Sequence, residues 1–284
     1  MKSKSIVGYL LFLAFAVTIT FILKDQAEAE QSIQKIETRP GVTVRVMIQT
    51  PETAPKGTLL IFPGSYGKGQ FSVHNGHITL GANFLVRTSP VFVKKGFIVA
   101  IVDVPSDHED GMSDNFRESS EHAHDIRKII EFLKEKKFDS FFLVGTSRGT
   151  ISVAYLATVL KDEALKGIVL TSTMGSQFIG GLPLEKISIP VLLMHHYNDG
   201  CPSTPLGEAF SLVRRLKDSP KVDFVQVLGG SSPEDGPKVS GKSSRMTDPC
   251  GPMSHHGYIG VEDKAVNAIT GWLSGKSVHS EVGE

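Results

Sequence analysis

The chain is short of cysteine, of net charge and of every common metal or phosphate signature. Its two cysteines, Cys201 and Cys250, allow one disulfide at most. Lys and Arg number 30, Asp and Glu number 30, and no basic block stands out. That balance gives no strong field for nucleic acid or for an anionic membrane surface. Neither C-x-x-C nor H-E-x-x-H occurs, and adjacent pairs such as His195-His196 and His255-His256 seldom aim at one metal centre. The glycine-rich stretch 63–69 does not fit G-x-x-x-x-G-K-[ST], which excludes a P-loop. No internal repeat is present. What remains is the composition of an ordinary globular protein, with no cofactor and no metal expected.

The N-terminus is more specific. Lys2 and Lys4 precede an apolar run over 6–23, and Ala27-Glu28-Ala29 follows as a small-x-small cleavage signal. This is the layout of a secretory leader. The run is also just long enough to span a bilayer. Residues 1–29 therefore read as a signal peptide cut after Ala29 or as an uncleaved N-terminal membrane anchor. Either way the domain over 30–284 lies outside the cytoplasm: periplasmic or secreted if cut, membrane-attached only through that segment if not. Two cysteines in an exported protein point to a single disulfide.

About 255 residues remain, enough for one large α/β domain. Residues 42–48 alternate, with Val42, Val44, Val46 and Ile48 on one face, and predict a half-buried strand. Residues 58–62 are apolar throughout, as in a strand covered on both sides. Further strands are expected over 97–104, 141–144, 167–171, 189–194 and 222–228. Helices are expected over 89–96, where Ser89 caps and Pro90 leads, over 118–136, directly after Ser147, and over 207–217 and 261–273. Residues 70–82 and 108–115 read as loops. Strands alternating with helices mean a mostly parallel sheet with helices on both faces. Only about seventeen residues separate the strands at 167–171 and 189–194, too few for a large lid. Residues 229–254 form a long segment rich in Gly, Ser, Pro and charge, either an excursion from the domain or a loop that shapes a binding site.

The chemistry centres on Gly145-Thr146-Ser147-Arg148-Gly149, which fits G-x-S-x-G between a buried strand and a helix. In that context the serine sits on a sharp strand-to-helix turn as a nucleophile. A serine nucleophile needs a base, and the base needs a carboxylate to orient it. Asp199 follows the strand at 189–194 and is the natural acid. Before the last helix, His255 and His256 are the candidates for the base. Arg148 beside the nucleophile opposes the helix dipole. Its guanidinium either pairs with Asp107, binds an acidic substrate group, or forms a purely structural salt bridge.

With these residues in order, the chain resembles the α/β-hydrolase superfamily over nearly all its mature length. The resemblance rests on the Ser147 pentapeptide, on Asp199 after its strand, and on His256-Gly257-Tyr258 before the final helix. It implies an α/β-hydrolase fold without a large lid domain, and His256 rather than His255 as the base. It also implies an oxyanion hole built from the backbone N–H of Arg148 and of Ser65 or Tyr66. The loop 63–66 reads Pro-Gly-Ser-Tyr where family members often carry His-Gly. If the triad forms, Cys201 and Cys250 are neighbours, and a disulfide joins the acid loop to the base loop, with a stabilisation of roughly 3–4 kcal/mol. The expected activity is that of an exported serine hydrolase acting through an acyl-enzyme on a small-molecule carboxylic ester or related acyl compound. The alternatives are a serine peptidase or amidase of the same fold, and a catalytically silent hydrolase-like binding protein.

Overall fold

Strands that are apolar at every position need a layer on each face, and strands of that kind occupy the middle of this protein. The computed structural model describes residues 30–231 and 248–283. The chain opens with β1 (Gln31–Arg39) and β2 (Val42–Gln49), then β3 (Thr58–Phe62), β4 (Phe71–His74) and β5 (His77–Leu80). Helices α1 (Phe84–Arg87) and α2 (Ser89–Lys94) lead to β6 (Ile98–Pro105), followed by α3 (Asp114–Arg117) and α4 (Ser120–Glu135). Next come β7 (Phe141–Thr146), α5 (Gly149–Val159), β8 (Leu165–Thr171), α6 (Ser176–Ile179) and β9 (Val191–His196). The last elements are α7 (Leu206–Val213), β10 (Val222–Val227), α8 (Glu262–Leu273) and β11 (Glu281–Val282).

The main sheet has the order β1-β2-β6-β3-β7-β8-β9-β10-β11. β1 with β2, and β2 with β6, pair antiparallel; every pairing from β6 onward is parallel. The chain runs from β3 to β6 on one side, then crosses back to β7 and continues to β8 on the other. The order therefore reverses between β3 and β7, and the crevice at their carboxyl ends is where open α/β sheets place ligands. β3 and β7 are buried at every position.

Two apolar layers enclose the sheet. On one face Ile126, Ile129, Ile130 and Leu133 of α4 and most of α5 pack against β3, β7 and β8. On the other, Phe84, Phe92, Ile269 and Trp272 from α1, α2 and α8 do the same. The α4 stripe has the expected helical period, and the helix begins where the Ser119 hydroxyl accepts the His122 N–H at 3.1 Å. Between β8 and β9 lie only α6 and a single 3-10 turn, so no lid domain is inserted there.

Three stretches differ from expectation. Residues 71–80 form a hairpin rather than a loop, with Asn75 at φ 50° and Gly76 at φ 78° between β4 and β5. Asn-Gly is the favoured pair for a two-residue turn with positive φ at both positions, so the signal was present. Within the stretch expected as a loop over 108–115, α3 begins at Asp114, capped by the Ser113 hydroxyl. β1 carries only Ile33 and Ile36 as apolar residues, too few to show alternation, and is held as a strand by pairing with β2. The leader at 1–29 and most of the segment at 229–254 lie outside the described residues. Among the described residues no helix is long and apolar enough to cross a membrane.

At the end of β1, Arg39 clamps two other elements. It donates to both oxygens of Asp125 in α4 (2.8 and 3.0 Å) and both of Asp107 (2.7 and 3.0 Å). Asp125 is 1% exposed, so removing its cation leaves a buried, uncompensated carboxylate. Arg39→Ala is expected to lower the unfolding free energy by about 3 kcal/mol in urea titrations.

Candidate active site

Ser147 stands between β7 and α5 in the left-handed region, at φ 52°. A residue with a Cβ pays for that conformation, and its surroundings hold it there. The Ser147 N–H donates to Thr171 O (3.0 Å), and the Thr150 hydroxyl donates to Ser147 O (2.6 Å). The turn is also too crowded for side chains nearby. A Cβ at Gly149 would collide with Phe62 O, and one at Gly145 would lie 2.6 Å from Gly149 O. One at Gly64 would lie 2.9 Å from the Ser147 Cβ. The glycines of the pentapeptide, and the glycine of the loop after β3, are what allow these three backbones to meet.

Asp199 follows β9 and has a fully buried carboxylate. Its donors are His256 Nδ1 (3.0 Å to Oδ2 and 3.2 Å to Oδ1), the Thr204 hydroxyl (3.1 Å) and the Cys201 N–H (3.0 Å). His195 Nε2 lies 3.2 Å from Oδ2 and 2.9 Å from Thr204 O, so that nitrogen carries the proton. Burial alone would raise the Asp199 carboxyl, but the hydrogen bonds from His195 and His256 outweigh it and hold the group well below the usual carboxylate range.

The His256 loop is built to hold its ring. The Ser254 hydroxyl accepts the His256 N–H (3.2 Å), and the Ser172 hydroxyl donates to His256 O (2.8 Å). Tyr258, fully buried, donates to Met194 O at 2.9 Å and so ties the loop to the end of β9. It is thus His256 that reaches Asp199. His255 stacks on His196 at 4.3 Å between ring centroids, and His196 donates through Nε2 to Gly229 O (3.0 Å). The paired histidines go to different neighbours, and among the described residues no group of three or more His, Cys, Asp or Glu is arranged to hold a metal.

Ser147 and His256 line one small cavity of about 70 Å³, together with Gly64, Ser65, Phe84 and Pro252. A larger cavity of about 710 Å³ shares no residue with it. The Ser147 hydroxyl is turned toward Met174 Sδ at 4.0 Å and makes no hydrogen bond to His256 among the described residues. Of the loop residues expected to face an oxyanion, Ser65 lines the cavity, whereas the Tyr66 ring is 65% exposed.

Cys201 and Cys250 form a disulfide that closes 49 residues and joins the Asp199 loop to the loop before His256. Arg148 forms a salt bridge, one of its three expected readings, but the expected pairing with Asp107 is corrected. Its guanidinium pairs with Asp114 (2.7 Å), not with Asp107, which is taken by Arg39. The reason is placement: Asp114 opens α3, which packs on α5, whereas Asp107 faces β1. Thr204, His195 and Arg117 are polar residues around the site that spacing did not reveal. Only His195, at the end of a buried strand four residues before Asp199, carried any signal.

The sequence matches no protein-family model and no curated protein. Its fold does match solved structures. One is a dienelactone hydrolase from Anabaena variabilis, at 14% identity and TM-score 0.55 over 87% of this chain and 96% of that one. A cold-adapted esterase from an Arctic intertidal metagenomic library matches at 14% identity and TM-score 0.50, over 72% and 86%. An acylaminoacyl peptidase from Pyrococcus horikoshii matches at 15% identity and TM-score 0.54, over 87% of this chain and 42% of that one. With its strand order, these likenesses establish that the chain has the α/β-hydrolase fold.

Two stability measurements follow from the Asp199 and disulfide contacts. A carboxyl held low in the folded state stabilises above its ordinary pKa, about 4, and that contribution is lost as pH falls below it. The stability advantage of wild type over Asp199→Asn in urea is therefore expected to be full at pH 7 and to shrink steadily below about pH 4. The double substitution Cys201→Ser, Cys250→Ser is expected to lower the unfolding free energy by about 3–4 kcal/mol, read by the same titration.

Proposed function

We propose that this chain is an exported serine hydrolase that cleaves small carboxylic esters through an acyl-enzyme. The observation that supports this most directly is the shared cavity. It joins a serine on a strained, positive-φ elbow to a histidine whose other ring nitrogen is bound by a buried carboxylate. In this reading Ser147 Oγ attacks the ester carbonyl while His256 Nε2 takes its proton. Asp199 holds the Nδ1 proton, which fixes the tautomer, and stabilises the imidazolium as it forms. The alkoxy group leaves with the proton from His256. Water, deprotonated by the same nitrogen, then releases the acid and restores Ser147.

The tetrahedral intermediate places negative charge on the former carbonyl oxygen. The N–H of Arg148, together with Ser65 or Tyr66 from the loop after β3, is assigned to that charge. This reading requires the Ser147 hydroxyl to turn from Met174 toward His256, and catalytic hydrogen bonds commonly tighten only when substrate is present. The small cavity and the lack of a lid inserted between β8 and β9 favour a short acyl group over a peptide. Export rests on the leader-like sequence at 1–29, and the disulfide agrees with an oxidising compartment.

A fluorophosphonate probe is expected to label wild type and to spare Ser147→Ala. That variant is expected to lose at least about 10³-fold in kcat on p-nitrophenyl acetate. Folded wild type that takes no label removes the enzyme and leaves a binding protein. Turnover of acylated peptides with none of simple esters replaces the esterase by a peptidase.

A further inference from the structure

A fully buried, charged arginine without a carboxylate partner is costly to keep, so its position calls for a reason. Arg117, the last residue of α3, is 0% exposed. Among the described residues it has no ion pair, and the nearby Asp114 pairs with Arg148. Its Nη1 donates to the Ser152 hydroxyl (3.1 Å) and its Nη2 to Ser65 O (3.0 Å); Nε has no hydrogen-bond partner among the described residues. Burial lowers the guanidinium to about 10, against an opposing pull from Asp114, so it remains charged at neutral pH.

Its two partners belong to different parts of the site. Ser152 lies in α5, whose N-terminal end carries Arg148. Ser65 lies in the turn after β3, closed by the Gly67 N–H donating to Gly64 O (3.0 Å). In that turn Ser65 has φ 52°, and a Cβ at Gly67 would come within 2.8 Å of Arg117 Nη2. The turn is therefore moulded over the guanidinium. A second tie, from the Met112 N–H to Tyr66 O at 2.9 Å, holds the next carbonyl. In a trans peptide the carbonyl and the following N–H point in opposite directions. Drawing Ser65 O down onto Arg117 therefore turns the Tyr66 N–H away from it.

We infer that Arg117 is a positioning residue that braces the oxyanion hole, its rigid fork fixing the distance between the turn at 64–67 and helix α5. This rests on the hydrolase reading for its catalytic consequence, though not for the brace itself. A lysine has a charge but no planar fork, and cannot span both acceptors in one geometry. The cation next to the loop also polarises the Ser65–Tyr66 peptide toward donation.

The test compares Arg117→Met, Arg117→Lys and Ser152→Ala, with kcat on p-nitrophenyl acetate expressed per fluorophosphonate-titrated site, so that misfolded protein is not counted. Arg117→Met is expected to lose about 100-fold in kcat with KM within about twofold, and millimolar methylguanidinium to restore at least about tenfold of that loss. Arg117→Lys should recover little of it. Ser152→Ala, which removes one arm only, should lose about threefold to tenfold and decides the matter if Arg117→Met does not fold. Rates per site within twofold of wild type in the folded variants overturn the inference. Hydrogen exchange of the amides at 64–67 reads the brace without any turnover. At least about tenfold faster exchange in Arg117→Lys is expected, and unchanged exchange overturns the brace even if wild type labels and turns over. Wild type that neither labels nor hydrolyses, with exchange still accelerated in Arg117→Lys, removes the hydrolase reading and keeps the brace.

Discussion

The left-handed turn at Ser147 is the constraint on which the rest of the site depends. Holding a residue with a Cβ at φ 52° costs on the order of 1–2 kcal/mol, and the surrounding structure has to over-determine it. It does so by packing three backbones against one another: the end of β7, the start of α5 and the loop after β3. Close approach removes room for any Cβ at Gly64, Gly145 or Gly149. It also obliges α5 to be buried on almost every side, so that its sequence is apolar or small nearly throughout. The pentapeptide is thus a packing requirement first, and its half-buried serine, turned out of the sheet, is a consequence.

Around that turn, the polar groups solve a second problem, a carboxylate without water. Asp199 is held ionised by His256, His195, Thr204 and the Cys201 amide, donors that come from β9, from the loop before α7 and from the turn before α8. Two of those segments are joined covalently by the Cys201–Cys250 disulfide. The carboxylate therefore organises the loops as much as it orients a histidine. Arg117 is a second buried charge near Ser147, held by Ser152 and Ser65 and, among the described residues, without an ion pair. The proposed chemistry would generate a cation on His256, whose ring Asp199 holds, and an anion on the substrate.

Much of this was legible in the residues. Continuous apolar runs at 58–62 and 141–144 meant strands covered on both faces, and helical stripes between them meant crossovers, which gave a parallel sheet. G-x-S-x-G had meaning because a strand preceded it and a helix followed. Asp199 and the two histidines could be picked out by their order along the chain. Asn75-Gly76 was a hairpin signal in plain view, with Phe71 and Val73 alternating before it and Ile78 and Leu80 after it, but each strand is only four residues long. Arg148 was visible as an oddity, but the identity of its partner was not, since Asp107 and Asp114 are both distant in sequence and separation does not choose between them.

The sequence by itself determined the alternation of elements, the elbow and the types of residue that surround it, because periodicity, glycine placement and motif spacing are local properties of a chain. The resemblance already pointed to His256 rather than His255; only the tertiary structure decided that His195 and Thr204 complete the carboxylate's shell, and that Arg148 turns to Asp114. It alone brought Arg117 beneath Ser65 and Ser152. Those choices depend on which loops converge at the carboxyl ends of β3, β7 and β9. Convergence is set by strand order in the sheet, a long-range pairing that no short window of sequence contains.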